Sequence, residues 1–333
     1  MNLKRILCSA LAFACVCTVF SGCSGSDNDN TVNVAFFPNI THAQAMVMQS
    51  QKLFENALGD EYSVKWTSFN AGPAEVEALK SEDIDIGYIG PVPAISANVS
   101  TNGDVNIIAG ATNGGQVLIA RDDAGIKEVK DLANKTVAIP QAGNTQHLAL
   151  LKLLSDNGMK AQDKGGNVNV TAVKNSEIES LFDQGKIDAA LVPEPWGTVI
   201  ENSENVKTSV VLNYDEIWRG GDYPVAVVVV RKDFQDKHPD IVEKFLKAHK
   251  DATLYIQENI SESAKIVNDK IGEIAGSKND DKLFESAFSR IVFTTDVSKE
   301  AIDDYAKINL DEGFISKLPD DKIIDDSVIK SIS

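Results

Sequence analysis

From residue 31 onward, short apolar runs take turns with longer amphipathic ones. Residues 32–37 precede a helical pattern over 41–58 that Gly59 closes, 62–69 precede one over 73–80, and 84–89 precede one over 91–99. Periods of strand and helix alternating in this way predict a parallel sheet built from βαβ units. A second series starts at residue 136: a run at 137–139, a helix at 145–157, a run at 168–173, a helix at 176–184 and a run at 189–192.

The second series repeats the first. Glu75-Val76-Glu77-Ala78-Leu79 matches Glu177-Ile178-Glu179-Ser180-Leu181 at an offset of 102. Ile84-Asp85-Ile86 matches Ile187-Asp188-Ala189 at 103, and Thr41-His42 at the head of the first helix faces Thr145-Gln146-His147 at 104. Matches in register at several points predict two pseudo-equivalent α/β lobes. Between them lie two β-branched runs, 117–120 ending in Arg121 and 223–230 ending in Arg231, long enough for buried strands. Taken as the crossings, they assign 31–120 and 223–333 to lobe one, with the C-terminal helices, and 121–222 to lobe two. Helical patterns at 240–258, 261–274, 282–290 and 298–312 follow, with no Pro/Gly/Ser-rich linker to mark off a separate domain.

The start of the chain has a different character. Lys4 and Arg5 precede an apolar run over 6–20 and then small residues up to Cys23, the order of a secretory signal peptide over 1–22. All four cysteines fall in this stretch, so the body has no disulfide framework. Cys23 after Phe20-Ser21-Gly22 resembles a lipobox, and 24–30 is small and polar, as a tether from a lipid anchor would be. Removing 1–22 takes the net charge from -17 to -19, which argues against nucleic acid as a partner.

Candidate chemistry lies where strands end and helices begin, because ligands of open α/β sheets sit there. The turns carry Asn39, Thr41 and His42; Asn70 and Gly72; Gly90; and Asn144, Thr145 and Gln146. Two more are Lys174-Asn175-Ser176 and Pro193-Glu194-Pro195-Trp196. Glycine permits close backbone approach, Asn, Ser and Thr cap, and each helix start presents free N–H groups with partial positive charge. Only Lys174 carries a full positive charge, which favours a neutral or singly charged ligand over a phosphate. Glu194 either receives an ammonium of the ligand or caps the helix that follows, and Trp196 and Tyr223 either wall the cavity or belong to the core. His42 and His147 lack the companions of a metal site, and no nucleophile elbow or phosphate loop is present. No catalytic set, metal or cofactor is therefore expected.

The Pro38-Asn39-Ile40-Thr41-His42-Ala43 turn, Ile84-Asp85-Ile86-Gly87, Val192-Pro193-Glu194-Pro195-Trp196 and the lipobox together resemble the sulfonate, nitrate and taurine type of periplasmic binding protein. The resemblance implies the type II binding-protein fold, two α/β lobes closing by a hinge on a ligand cleft. It also implies the substrate-binding component of an ABC importer, not an enzyme, acting as a monomer with a permease and its ATPase at the outer face of the membrane. The implied ligand is an aliphatic sulfonate or taurine-like solute, zwitterionic if Glu194 takes part. Nitrate or a thiamine-related pyrimidine is the alternative, and a receptor for a protein partner or an enzyme on the same fold is a further one.

Overall fold

The computed structural model describes residues 30–276 and 278–332. The predicted signal peptide, Cys23 and nearly all of the tether lie outside the described residues. Eleven strands form two sheets. They are β1 (Thr31–Phe36), β2 (Ser63–Ser68), β3 (Ile86–Ile89), β4 (Val105–Gly114), β5 (Gln116–Arg121), β6 (Thr136–Ile139), β7 (Asn169–Ala172), β8 (Ala189–Pro193), β9 (Thr208–Leu212), β10 (Pro224–Arg231) and β11 (Ile291–Phe293). The first sheet runs β11-β4-β10-β3-β1-β2 and the second β7-β6-β8-β5-β9.

Each sheet has a parallel trio, β2-β1-β3 in one and β7-β6-β8 in the other. An antiparallel strand pairs beside each trio, β10 on β3 and β5 on β8. The two antiparallel strands have just crossed from the other lobe, β5 after β4 and β10 after β9. Here the structure corrects a boundary: residues 117–120 belong to the second sheet. The first crossing is thus at Gly114-Gly115, both with positive φ (69° and 75°), and lobe two begins at Gln116. A strand buried on both faces has no alternation to say which sheet it joins. Tyr214 wedges both crossings together, since a Cβ on Gly114 or Gly221 would stand 2.6 or 2.7 Å from its ring.

The helices that matter follow in chain order: α1 (Ala43–Gln51), α2 (Leu53–Leu58), α3 (Gly72–Lys80), α4 (Pro91–Ser100), α5 (Thr145–Asp156), α6 (Asn175–Asp183) and α7 (Trp196–Glu201). The tail adds α8 (Pro239–Glu258), α9 (Asp281–Phe288) and α10 (Lys299–Asp311). Proline in the first turns of α3 and α4 pre-sets their entry, and the Asn144 side chain caps α5 by accepting the His147 N–H.

The tail returns to lobe one. Helix α8 packs across α1 and α2, with Phe54 and Phe245 edge to face at 5.2 Å, and β11 extends the first sheet. Helices α9 and α10 also touch α7 and α5 of lobe two. All the interlobe ion pairs among the described residues run through this tail: Arg290 with Glu194 and Glu201, Arg219 with Glu300 and Asp304, and Lys164 with Glu312.

Candidate binding site between the lobes

One pocket lies between the two parallel trios, where their strands end. From lobe one, the turn after β1 brings Asn39, Thr41 and His42, the turn after β2 brings Asn70 and Gly72, and the turn after β3 brings Gly90. From lobe two, the start of α5 supplies Asn144, Thr145 and Gln146, and the start of α6 supplies Asn175. Phe37, Pro93, Pro140 and Val225 fill the apolar part of the wall. No Asp, Glu, Lys or Arg is among the lining residues described. The lobes approach closely, since a Cβ on Gly90 would stand 2.3 Å from Thr145 Oγ1.

Three residues expected at the ligand stand behind the wall. Glu194 is fully buried: its carboxylate accepts the Thr198 N–H at 2.9 Å, which caps α7, and an Arg290 N–H at 2.8 Å. Burial lifts its pKa above the ordinary carboxylate value, and Arg290 and Thr198 pull it back. The cation this carboxylate meets is an arginine 96 positions away, which no local signal in the sequence marks. Trp196 donates its indole N–H to Asn39 Oδ1 at 2.8 Å, joining the lobes, so that the amide N–H₂ of Asn39 is left for the pocket. Tyr223 is buried, with its hydroxyl donating to the Tyr214 carbonyl at 2.9 Å.

The two repeated histidines share a local bond and part company beyond it. His42 Nδ1 accepts the Phe37 N–H at 3.1 Å, and His147 Nδ1 accepts the Gly143 N–H at 3.0 Å. Each proton is therefore on Nε2 when the ring is neutral. Burial holds His42 down to about 3 and His147 to about 4, so both are neutral at ordinary pH. His42 faces the pocket as a neutral N–H donor, whereas His147 packs 5.1 Å from Phe314 of the tail.

Two polar atoms in the wall have no partner among the described residues: Thr145 Oγ1 and Asn175 Oδ1, on residues 2% and 4% exposed. Buried polar groups are ordinarily paired, so these two stand out in the wall. A half-turn of the Asn175 amide presents its N–H₂ instead. Asn144 and Gln146 are already engaged, Asn144 Nδ2 to Gln146 Oε1 at 3.0 Å and Gln146 Nε2 to Gln116 Oε1 at 3.1 Å. Among the described residues no group of three or more His, Cys, Asp or Glu side chains is placed to hold a metal ion.

Two α/β lobes clasped over one donor-lined pocket define a solute-binding protein of the periplasmic type. The chain belongs to the NMT1-like family, whose profile matches residues 25–268. It is 29% identical over 256 residues to the taurine-binding periplasmic protein of Escherichia coli, covering 74% of this chain and 76% of that one. It is 26% identical over 227 residues to a putative aliphatic sulfonates-binding protein of Bacillus subtilis, covering 67% and 65%. Among solved structures, the alkanesulfonate-binding protein SsuA of Xanthomonas axonopodis pv. citri bound to MOPS superposes with a TM-score of 0.74. That match is 16% identical and spans 89% of this chain and 98% of that one, a likeness of fold.

Proposed function

We propose that this chain is the substrate-binding component of an ABC importer and holds a small sulfonate in the interlobe pocket. The observation that carries the reading is the pair of unpartnered groups, Thr145 Oγ1 and the Asn175 amide, beside two helix starts with no charged side chain in the wall. A sulfonate is a compact monoanion whose oxygens only accept. Helix-start N–H groups, a threonine hydroxyl, the Asn39 amide and the neutral His42 N–H are donors suited to it. Charge from Arg or Lys would add strength for a dianion, and its absence from the lining favours the monoanion. The relatives that bind taurine or aliphatic sulfonates point the same way.

Calorimetry of the mature chain with methanesulfonate and taurine tests this. Thr145→Val is expected to weaken binding roughly 5- to 150-fold, the effect of about 1 to 3 kcal/mol for stranding a buried partner. Equal affinity in wild type and variant would mean that α5 does not hold the ligand.

The motif ending at Cys23 supports an acyl anchor that keeps the mature chain at the outer face of the membrane beside its permease. Mass spectrometry of the membrane fraction is expected to find Cys23 acylated as the first residue. An unmodified thiol on a freely soluble product would remove the anchor.

A further inference from the structure

Four asparagine amides stand in the wall of the pocket, and the protein's own bonds set each of them differently. Asn144 has both ends engaged, its Oδ1 accepting the His147 N–H at 2.8 Å and its Nδ2 donating to Gln146 Oε1 at 3.0 Å. Asn70 has its nitrogen drawn away, Nδ2 donating to the Pro140 carbonyl at 3.3 Å. Asn175 Oδ1 has no partner among the described residues, so this amide can present either end. Asn39 is the one of the four whose oxygen is taken and whose nitrogen is left for the pocket.

The group that takes the oxygen is the indole of Trp196, Nε1 donating to Oδ1 at 2.8 Å. An indole N–H can only donate, so it holds the amide by its oxygen and by no other atom. Asn39 and Trp196 are 5% and 8% exposed, and a turned amide would set N–H against N–H and strand both donors away from water. Trp196 is held from behind as well. The Ile40 N–H donates to the Glu194 carbonyl at 2.9 Å, and the Glu194 carboxylate is tied to Thr198 and Arg290. Both the Trp196–Asn39 and the Ile40–Glu194 bonds run from one lobe to the other, so the amide is set only where the lobes meet.

Resting on the sulfonate reading above, we infer that Trp196 is a positioning residue that makes Asn39 a donor and so sets the pocket's preference for ligand atoms that only accept. Trp196 stands behind the lining and acts through Asn39, by fixing which end of the amide the ligand meets. A ligand that offers an N–H at that point is penalised, because two donors would then face each other without an acceptor.

The test is calorimetry of the mature chain with methanesulfonate and with methanesulfonamide, the same shape with one oxygen replaced by an N–H₂, the weaker ligand being read by displacement. In wild type the sulfonate is expected to bind tighter. Trp196→Phe removes the N–H and lets the amide turn, so the ratio of the two affinities should shrink roughly 5- to 150-fold, the effect of about 1 to 3 kcal/mol for a stranded donor. If that variant does not fold, Asn39→Asp carries the test: it keeps an acceptor for Trp196 and offers the pocket an oxygen in place of the N–H₂, so the preference should turn to the sulfonamide. An unchanged ratio in Trp196→Phe, whether both ligands lose equally or the sulfonamide is shut out of both chains, overturns the positioning role alone, as does a kept preference for the sulfonate in Asn39→Asp. Failure of methanesulfonate to bind the wild type overturns the sulfonate reading and the positioning role together.

Discussion

Arg290→Met is expected to lower the free energy of unfolding by about 3 to 5 kcal/mol, the range seen when one partner of a buried ion pair is removed. The reason lies with the residue left behind. Glu194 is fully buried and keeps only its contacts with Thr198 once the guanidinium is gone, in a place where burial already disfavours its charge. Glu201, which accepts from the other Arg290 nitrogen at 2.7 Å, is nearer to solvent and loses less. Urea denaturation should show a lower midpoint with an unchanged slope. Adding Glu194→Gln to Arg290→Met should recover much of the loss, because the stranded charge is then removed. A double variant no more stable than Arg290→Met would show that the charge on Glu194 is not what the arginine holds in check.

The second large effect concerns Glu75, on the first turn of α3. Its carboxyl lies against the backbone of β3, so closely that a Cβ on Gly87 would stand 1.9 Å from Oε1, and neither oxygen has a partner among the described residues. Burial raises its pKa well above 4.5, so the folded chain keeps a proton that the unfolded chain releases. The stability this group contributes is present below about pH 4.5 and is lost as pH climbs toward the folded pKa, by about 1.4 kcal/mol per pH unit.

Glu75→Gln is therefore expected to stabilise the protein near neutral pH and above, by an increment that shrinks on acidification. His42, His147 and His249 work in the opposite sense. Their pKa values are lowered to about 3, 4 and 4, so stability falls as pH drops below 6.5 and the unfolded chain takes up protons. Those terms are common to both chains and cancel in the difference. Urea titrations of wild type and variant across the mildly acidic to mildly alkaline range check this. Parallel stability curves would show that Glu75 does not titrate differently in the two states.

Much of the architecture was legible because its signals are local. Strand and helix periods, caps and proline at helix starts are decided within a few residues, and the offset near 103 showed that one unit occurs twice. The turns at Asn39, Asn70, Gly90 and Asn144 converge on one pocket because strand ends and helix starts share one edge of each sheet. What escaped was non-local. Strand β4 contains Gly110, Asn113 and Gly114, a poor strand sequence. Its Gly110 is needed because the Asp296 backbone comes within 2.0 Å of where a Cβ would be. The lobe to which β5 belongs and the arginine that neutralises Glu194 both depend on segments far apart in the chain. His249 belongs with them: it reads as one more residue of an amphipathic helix, yet it lies between the Tyr88 hydroxyl at 2.7 Å and the Gly110 carbonyl at 2.9 Å.

The position of β10 has a consequence for how the molecule is assembled. All five strands of the second sheet come from one unbroken segment, so that sheet can complete itself. In the first sheet the place between β3 and β4 is empty until Pro224–Arg231 arrives, with Gly87 waiting for Val229. Closing so long a loop is entropically slow, and it shortens once the intervening segment is compact. The half of the protein that begins first in the sequence is thus the half that is finished last, and lobe two serves as the folded spacer that brings its missing central strand home.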